Sequence, residues 1–583
     1  MELDLQEVQV CINNNEWAEA KKLLSMYKDS IADENLNDIF YILEASLYMN
    51  DQNYNEALAS ITQGLYLNYA NYELYFMLGN LKEIEGNYAQ ALFAYENAVF
   101  YCHTVDQSFL IEHLQNFKDS HTELPGKVAI IIVTYKNLDF TRVCVDSIMA
   151  YNLQDTYEII IIDNASNDGT KEWLSEQKNL KYIVNEDNLG FPAACNQGIM
   201  IADKDSDIFL LNNDTIVMPN SIFCLRMGLY EDNHIGISGS VSNRVSNNQK
   251  IKEEFPSVDQ YITYCEHNNI YDITKHEYRI KLVGFAMLIK RKLLDSIGYL
   301  DEAYGLGHFE DDDICIRTVL EGYNIILCKD SFIYHFGNQS FVKNKKENFQ
   351  KHQDGILRNL KYFINKWGLD LEDYSDIRDD IIALIDQNKA DKLSILEVGC
   401  GYGSNLLKLK SIYQNADVYG IEIMERVAEI GGSILNIIHG NIEDKNLPYQ
   451  ENNFDYIIVG DVLEHLHNPE DILLYLKNYL KKDGYIIASI PNILHFSVML
   501  PLLQGNFTYK DSGLLNKTHL RFFTRNEIIR LFINAGYTIE SIYCKYSQTN
   551  NDIDIFIHNL ASLDSNIEED NFKVNQYLIR ANK

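Results

Sequence analysis

Four short runs between residues 127 and 214 constrain the fold more than any other feature: KVAIIIVTY, YEIIIIDN, LKYIVNED and DIFLLNND. Each is strand-length, apolar and β-branched, and helical patterns separate them. Continuous apolar strands alternating with helices predict a parallel sheet covered on both faces. A second series of this kind starts at KLSILEVGCGYGS, residues 392–404. With 583 residues the chain has room for about three to five domains, so two separate sheets fit.

The chain ahead of the first series is helical and repetitive. NNEWAEAKKLL, DQNYNEALASI and EGNYAQALFAY align on Trp17, Tyr54 and Tyr88 and on Ala20, Ala57 and Ala91. A period near 34, with an aromatic residue and then Ala three positions on, resembles the tetratricopeptide repeat. An amphipathic bundle without true repeats is the plainer alternative. Such arrays bind peptides or mediate assembly, which implies a protein partner on the repeats. HTELPGK, with Pro125 and Gly126, ends this part.

Composition removes several function classes. The net charge of −34 opposes a nucleic-acid partner and an anionic membrane surface. The start, MELDLQEVQV, lacks the layout of a secretory leader, and no apolar run reaches the 18 or so residues that span a bilayer. Ten cysteines without a C-x-x-C pair predict buried thiols in a reducing cytoplasm, not disulfides or a zinc site.

Ligands of open parallel sheets sit at the carboxyl ends of the strands. Polar residues collect there: Thr134-Tyr135, DNASNDGT (163–170), NEDNLGFPAACNQG (185–198) and NNDT (212–215). Any one of them is explained by turn chemistry. Taken in order with VGFAMLIKRKLLDSIGYLDEAY and FEDDDICIR, they resemble glycosyltransferase family 2, in its bacterial rhamnosyltransferase-like branch. The likeness covers about 128–341 and implies the GT-A nucleotide-sugar fold. It implies that Asp163 accepts a hydrogen bond from the base of a UDP- or dTDP-sugar, with Thr134 and Asn188 as further donor-binding candidates.

The family's D-x-D motif falls on Asn212-Asn213-Asp214, so its first acid is missing. By resemblance Asp214 and His335 would hold Mg²⁺ or Mn²⁺, although a single His at a strand end is also a common structural residue. The E-D-x-D segment falls on Glu310, Asp311, Asp312 and Asp313. Inverting transfer needs a base beside the acceptor hydroxyl, and Asp311 matches that position. Asp313, four residues before Arg317, suits a helix-start ion pair. A solvated acidic loop is the alternative for all four.

In the second series, Gly399, Gly401 and Gly403 follow a strand and open a helix. Such a turn lets a backbone approach a ligand closely and could indicate a dinucleotide site. Glu422 ends the next strand, where a carboxylate can bind ribose hydroxyls. FDYIIVGDVLEHLHNPEDILLYLKNYLKKDGYIIASIPN and THLRFFTRNEIIRLFINAGY complete a resemblance to class I S-adenosylmethionine-dependent methyltransferases over about 392–548. It implies that Glu397, Gly399, Gly401, Gly403, Glu422, Asn441 and Asp461 bind the cofactor. His465 and His519 are candidate bases, each as readily structural, and Asp461, Glu464 and His465 resemble a cation cluster of some relatives.

The expected architecture is therefore a multidomain one, a helical repeat array followed by two α/β domains. The boundaries read as 1–120 repeats, 126–343 glycosyltransferase, 344–390 helical linker, 391–548 methyltransferase and 549–583 tail. The expected function is sugar transfer plus O-methylation of a surface glycan or a protein such as flagellin. Two rivals stand beside it: a glycosyltransferase carrying a non-catalytic methyltransferase-like scaffold, and an assembly platform.

Overall fold

The computed structural model describes residues 5–30, 36–337, 347–371, 374–564 and 567–583. They form two compact units, Met1–Trp367 and Gly368–Lys583.

Among the described residues the first unit opens with seven α-helices: Leu5–Asn13, Trp17–Ser30, Asp38–Asn50, Tyr54–Leu67, Tyr72–Ile84, Tyr88–Tyr101 and Gln107–Ser120. Ala20, Ala57 and Ala91 are fully buried, as the small residue of each segment must be where helices pack closely. At Gly79 a Cβ would come 2.3 Å from the Tyr95 ring, so the helices on either side meet almost backbone to ring. This array is not a separate domain. Tyr75, Phe93 and Tyr95 share one apolar core with Phe223, Met227 and Tyr271 of the following α/β part. Gln90 Nε2 donates to the Met227 carbonyl at 2.7 Å, and Arg226 pairs with Glu96 at 2.7 Å, both side chains buried. The helix Ser221–Leu229 has every residue buried for this reason.

The α/β part has strands β1 (Val128–Thr134), β2 (Tyr157–Asp163), β3 (Lys181–Val184), β4 (Asp207–Asn212), β5 (Thr215–Ile216), β6 (Ile235–Val241), β7 (His276–Arg279), β8 (Ala286–Ile289), β9 (Asn324–Phe332) and β10 (Tyr334–His335). Eight of them form one sheet in the order β3-β2-β1-β4-β8-β6-β9-β7. The β3-β2-β1-β4 half is parallel, as the apolar runs predict. The far half is mixed, because β8 runs antiparallel to both β4 and β6. β5 and β10 form a small antiparallel pair that sets His335 opposite Thr215.

The second unit has β11 (Ser394–Val398), β12 (Asp417–Glu422), β13 (Asn436–His439), β14 (Phe454–Gly460), β15 (Leu480–Pro491), β16 (Thr538–Tyr546) and β17 (Val574–Asn582), in the order β13-β12-β11-β14-β15-β17-β16. The residues read as a tail, 549–583, therefore carry a strand. β17 lies between β15 and β16, antiparallel to both, and Val574, Tyr577, Ile579 and Ala581 belong to the core. The stretch read as a linker is not one either: Glu347–Trp367 is a helix of the first unit, and Asp379–Ile382 a short helix of the second.

All ten cysteines are free and nine are buried. Among the described residues no helix is long and apolar enough to cross a membrane.

Candidate functional sites

In the first unit, β1 and β2 end in register, with Thr134 opposite Asp163. Asp163 is fully buried. Its Oδ1 accepts the Ser166 amide at 3.0 Å, while its Oδ2 is buried without a hydrogen-bond partner among the described residues. A buried acceptor is normally satisfied, so this oxygen suits a donor such as a base N–H. Thr134 does not share this opening: it is fully buried, its hydroxyl lies 2.9 Å from that of Thr141, and Asn213 Nδ2 donates to both. Asn188 is exposed, and its Oδ1 accepts the Gly190 amide at 2.9 Å.

Asn213 being turned inward leaves Asp214 as the acid of the N-N-D turn. Its Oδ1 lies 3.1 Å from His335 Nε2. His335 Nδ1 lies 2.7 Å from the Arg244 carbonyl, which can only accept, so Nδ1 carries a proton. Nε2 is then either protonated and ion-paired with Asp214, or it and Asp214 turn their lone pairs toward one cation. A carboxylate and an imidazole, completed by phosphate oxygens and water, fit Mg²⁺ or Mn²⁺.

The helix Glu310–Leu320 carries four acids in its first turn, where its dipole favours them. Each has a different environment. Asp313 is fully buried and takes Arg317 Nε at 2.9 Å, Trp367 Nε1 at 3.0 Å and Lys366 Nζ at 2.6 Å. Asp312 lies 3.7 Å from Lys281. Glu310 is buried, its Oε2 has no partner among the described residues, and burial, then the charge of Asp311, push its carboxyl well up. Asp311 is half-buried and, among the described residues, bonds backbone amides alone, Gly284 at 2.9 Å and Asp312 at 3.0 Å. Held this way, its carboxylate keeps lone pairs free for a proton. The loop before it is strained: His308 and Phe309 have φ of 74° and 73°, a region that non-glycine residues avoid.

In the second unit, Gly399, Gly401 and Gly403 have φ of 70°, 55° and 86°. A Cβ on Gly401 would also come 2.5 Å from the Tyr374 carbonyl, so the turn requires glycine twice over. Glu422, buried at the end of β12, accepts the Gly401 amide at 3.0 Å and the Met424 amide at 2.9 Å. Glu397 is buried. Its Oε1 accepts Asn405 Nδ2 at 2.7 Å, Oε2 has no partner among the described residues, and burial pushes the carboxyl to about 8. Asn441 accepts the Glu443 amide at 3.0 Å just after β13.

Asp461, at φ 54°, directly follows β14. Its carboxylate is held by Arg378 and by Gln576, two residues the sequence reading missed. Gln576 lies in the strand mistaken for a tail. Arg378 lies in the stretch mistaken for a linker. No local pattern marks either.

Beyond Asp461 a cavity of about 510 Å³ is lined by Glu464, His465, Lys510, Asn516, His519 and Gln576, among others. Glu464 is buried, its Oε2 has no partner among the described residues, and burial, then the Asp461 charge, push it to about 8. The rings of His465 and His519 meet edge to face at 4.8 Å. Each Nδ1 lies near a carbonyl, Thr518 at 3.1 Å and Leu514 at 3.0 Å. One ligand atom from each of Glu464, His465 and His519 lies within 4.8 Å of the others, a set able to hold a cation. The cluster read from sequence is thus corrected in one member: His519 joins it, and Asp461 is turned to Arg378.

Two α/β units with acids and glycines at their strand ends define a transferase of two parts. Residues 129–297 match the family model for glycosyl transferase family 2, and residues 370–542 match that of a methyltransferase domain. The chain thus joins a family 2 glycosyltransferase domain to a methyltransferase domain, behind a helical array. Asp311 and His335 lie beyond the matched glycosyltransferase residues. The demethylmenaquinone methyltransferase of Oceanobacillus iheyensis is 25% identical over 164 residues, 24% of this chain and 68% of that protein. The uncharacterized protein y4gI of Sinorhizobium fredii is 24% identical over 260 residues, 40% of this chain but 27% of that protein. Among solved structures, GalNAc-T7 with UDP, GalNAc and Mn²⁺ is similar at 16% identity and a TM-score of 0.31, over 37% of this chain and 44% of that one. A methyltransferase of Thermotoga maritima is similar at 20% identity and a TM-score of 0.25, over 35% and 86%.

Proposed function

We propose that the first unit transfers a sugar from a UDP- or dTDP-sugar, with inversion, and that the second O-methylates the product glycan with S-adenosylmethionine. Two unlike carboxylates carry the first half: among the described residues Asp163 is buried with one oxygen unpartnered, and Asp311 is held by backbone amides alone. Asp163 would accept from the base of the donor nucleotide, a charge-assisted bond. Asp311 would take the acceptor hydroxyl proton as the new C–O bond forms and the bond to the diphosphate breaks. A divalent cation on Asp214 and His335 would offset the charge of that leaving group.

The second half rests on the cavity beside Asp461, whose carboxylate, imidazole, amide and ammonium groups suit a hydroxyl-rich acceptor. Glu397, the glycine turn, Glu422 and Asn441 would hold the methyl donor, which supplies a methyl on a sulfonium. His465 or His519 would take the hydroxyl proton. Rhamnose, and a surface glycan or a flagellin-like protein as acceptor, are the finer reading. Thr134 and Asn188 contribute to it as packing and turn residues.

The array's use of one face to share the glycosyltransferase core leaves its other surface for a protein partner. A non-catalytic methyltransferase half is the alternative, and the unpartnered Glu397 and Glu464 oxygens count against it. Incubating the full chain with nucleotide sugars, a glycan acceptor and S-adenosylmethionine, and weighing the product, tests both halves. A product with sugar and no methyl would leave the scaffold reading standing.

A further inference from the structure

We infer that the helix Glu347–Trp367 is a working part of the sugar-transfer site, and that Asn359 is the positioning residue that fixes the loop presenting Asp311. The inference rests on the reading of Asp311 as the base.

The loop from Tyr304 to Phe309 holds an improbable conformation. Gly305, Gly307, His308 and Phe309 have φ of 60°, 121°, 74° and 73°. Two of these four are not glycine, so something outside the loop must hold them there. The holder is visible. Asn359 is 1% exposed. Its Nδ2 donates to the carbonyls of Tyr304 at 2.7 Å, Gly307 at 2.6 Å and His308 at 3.3 Å. Three carbonyls of one loop thus converge on one amide. That amide is oriented in turn: Arg358 donates to Asn359 Oδ1 from Nε at 3.0 Å and Nη2 at 2.8 Å, so oxygen and nitrogen cannot exchange places without losing every bond.

The same helix grips the other side of Asp311. Two turns further on, Lys366 and Trp367 reach the buried Asp313 at 2.6 and 3.0 Å. Phe363 meets the ring of Phe309 at 5.7 Å between centroids. Asp311 therefore lies between a loop fixed by Asn359 and a carboxylate fixed by Lys366 and Trp367. The loop also packs closely against a neighbouring turn. A Cβ on Gly190 would stand 1.9 Å from the Gly305 carbonyl, so the loop Asn359 holds also backs the turn after β3. A displaced base is costly, since a misplacement of about 1 Å can lower a rate roughly 10²-fold. None of this helix falls within the residues that match the glycosyltransferase family.

The test uses the full chain with Asn359→Ala, Asn359→Asp and Trp367→Phe. Asn359→Asp sets a carboxylate against three carbonyls and is expected to be the most harmful. Expected are a fall of roughly 10²-fold in kcat for sugar transfer, a donor KM within about two-fold of wild type because Asp163 is untouched, and faster backbone amide exchange confined to 304–313. A merely structural role would lower the melting temperature and raise exchange throughout the unit. If Asn359→Asp does not fold, Asn359→Ala and Trp367→Phe carry the same readouts. Wild-type exchange over 304–313 in Asn359→Ala would overturn the inference even were no sugar transferred. Wild-type kcat with loosened exchange would overturn the link to catalysis. A wild-type chain that binds nucleotide sugar but never transfers it would instead overturn the reading of Asp311.

Discussion

The Gly401 amide donates to Oε2 of Glu422 across 3.0 Å, tying the middle of the glycine turn to the end of the next strand. Glu422 thereby braces the turn a cofactor would approach, and its proposed second role is to bind the ribose of that cofactor. Glu422→Ala removes both functions. A lost charged hydrogen-bond partner costs about 1.5–3 kcal/mol, so affinity for S-adenosylmethionine should fall at least ten-fold by titration calorimetry. Sugar transfer should be unchanged.

Glu397 predicts a pH dependence of the second unit. Unfolded, it loses its proton near the usual carboxylate value of 4.5; folded, burial keeps the proton on up to about 8. Between these values the folded state binds more protons, so stability falls as pH rises, and the full cost is felt above 8. Glu464 is shifted the same way. Thermal melting of the second unit should drop by a few degrees from pH 5 to 9. Glu397→Gln should flatten that slope; an unchanged slope would mean that Glu397 is already ionised in the fold.

Much of this was legible in the sequence, for identifiable reasons. β1, β2 and β4 announce themselves because strands buried on both faces must be continuously apolar. Gly399, Gly401 and Gly403 do so because few other residues reach their φ. What was not legible depends on distant partners. VNQYLIRAN, which forms β17, is broken by Asn575, Gln576 and Arg580 and reads as a tail until β15 and β16 flank it. Asn359 looks like any polar helix residue until the Tyr304–His308 carbonyls converge on it. The N-terminal helices read as a separate array because Gln90 and Glu96 carry no mark of the Met227 and Arg226 they meet.

Asp311 and Asp312 are adjacent, and only one should matter to chemistry. Asp312 lies near Lys281, whereas among the described residues Asp311 bonds backbone amides alone. Asp311→Asn should leave nucleotide binding nearly intact and lower sugar transfer by roughly 10²–10⁴-fold, the worth of a positioned base. Asp312→Asn should stay within a few-fold of wild type. The reverse ranking in a steady-state assay would move the base to Asp312.

Asp214 and His335 predict metal dependence. Chelator should abolish sugar transfer, and Mg²⁺ or Mn²⁺ should restore it. His335→Ala should raise the metal concentration needed for half-activity by roughly ten-fold or more, since losing even a residue that only orients a ligand costs about 10–100-fold. Full activity in chelator would mean that the 3.1 Å contact between these side chains is an ion pair only.

The joining of the two units in one chain predicts an order for the two proposed reactions. A tether raises the local concentration of the first product for the second step, so methylation should act on the sugar this chain adds. Glu422→Ala should then give a glycan that carries the sugar but lacks its methyl, lighter by the mass of one CH₂. Asp311→Asn should lose sugar and methyl together, because the cavity beside Asp461 would have no substrate. Mass spectrometry of the acceptor from cells carrying each variant distinguishes the outcomes. A glycan from the Asp311→Asn strain that keeps its methyl while lacking the sugar would show that methylation comes first or acts elsewhere, and the two units would then be joined for a reason other than order.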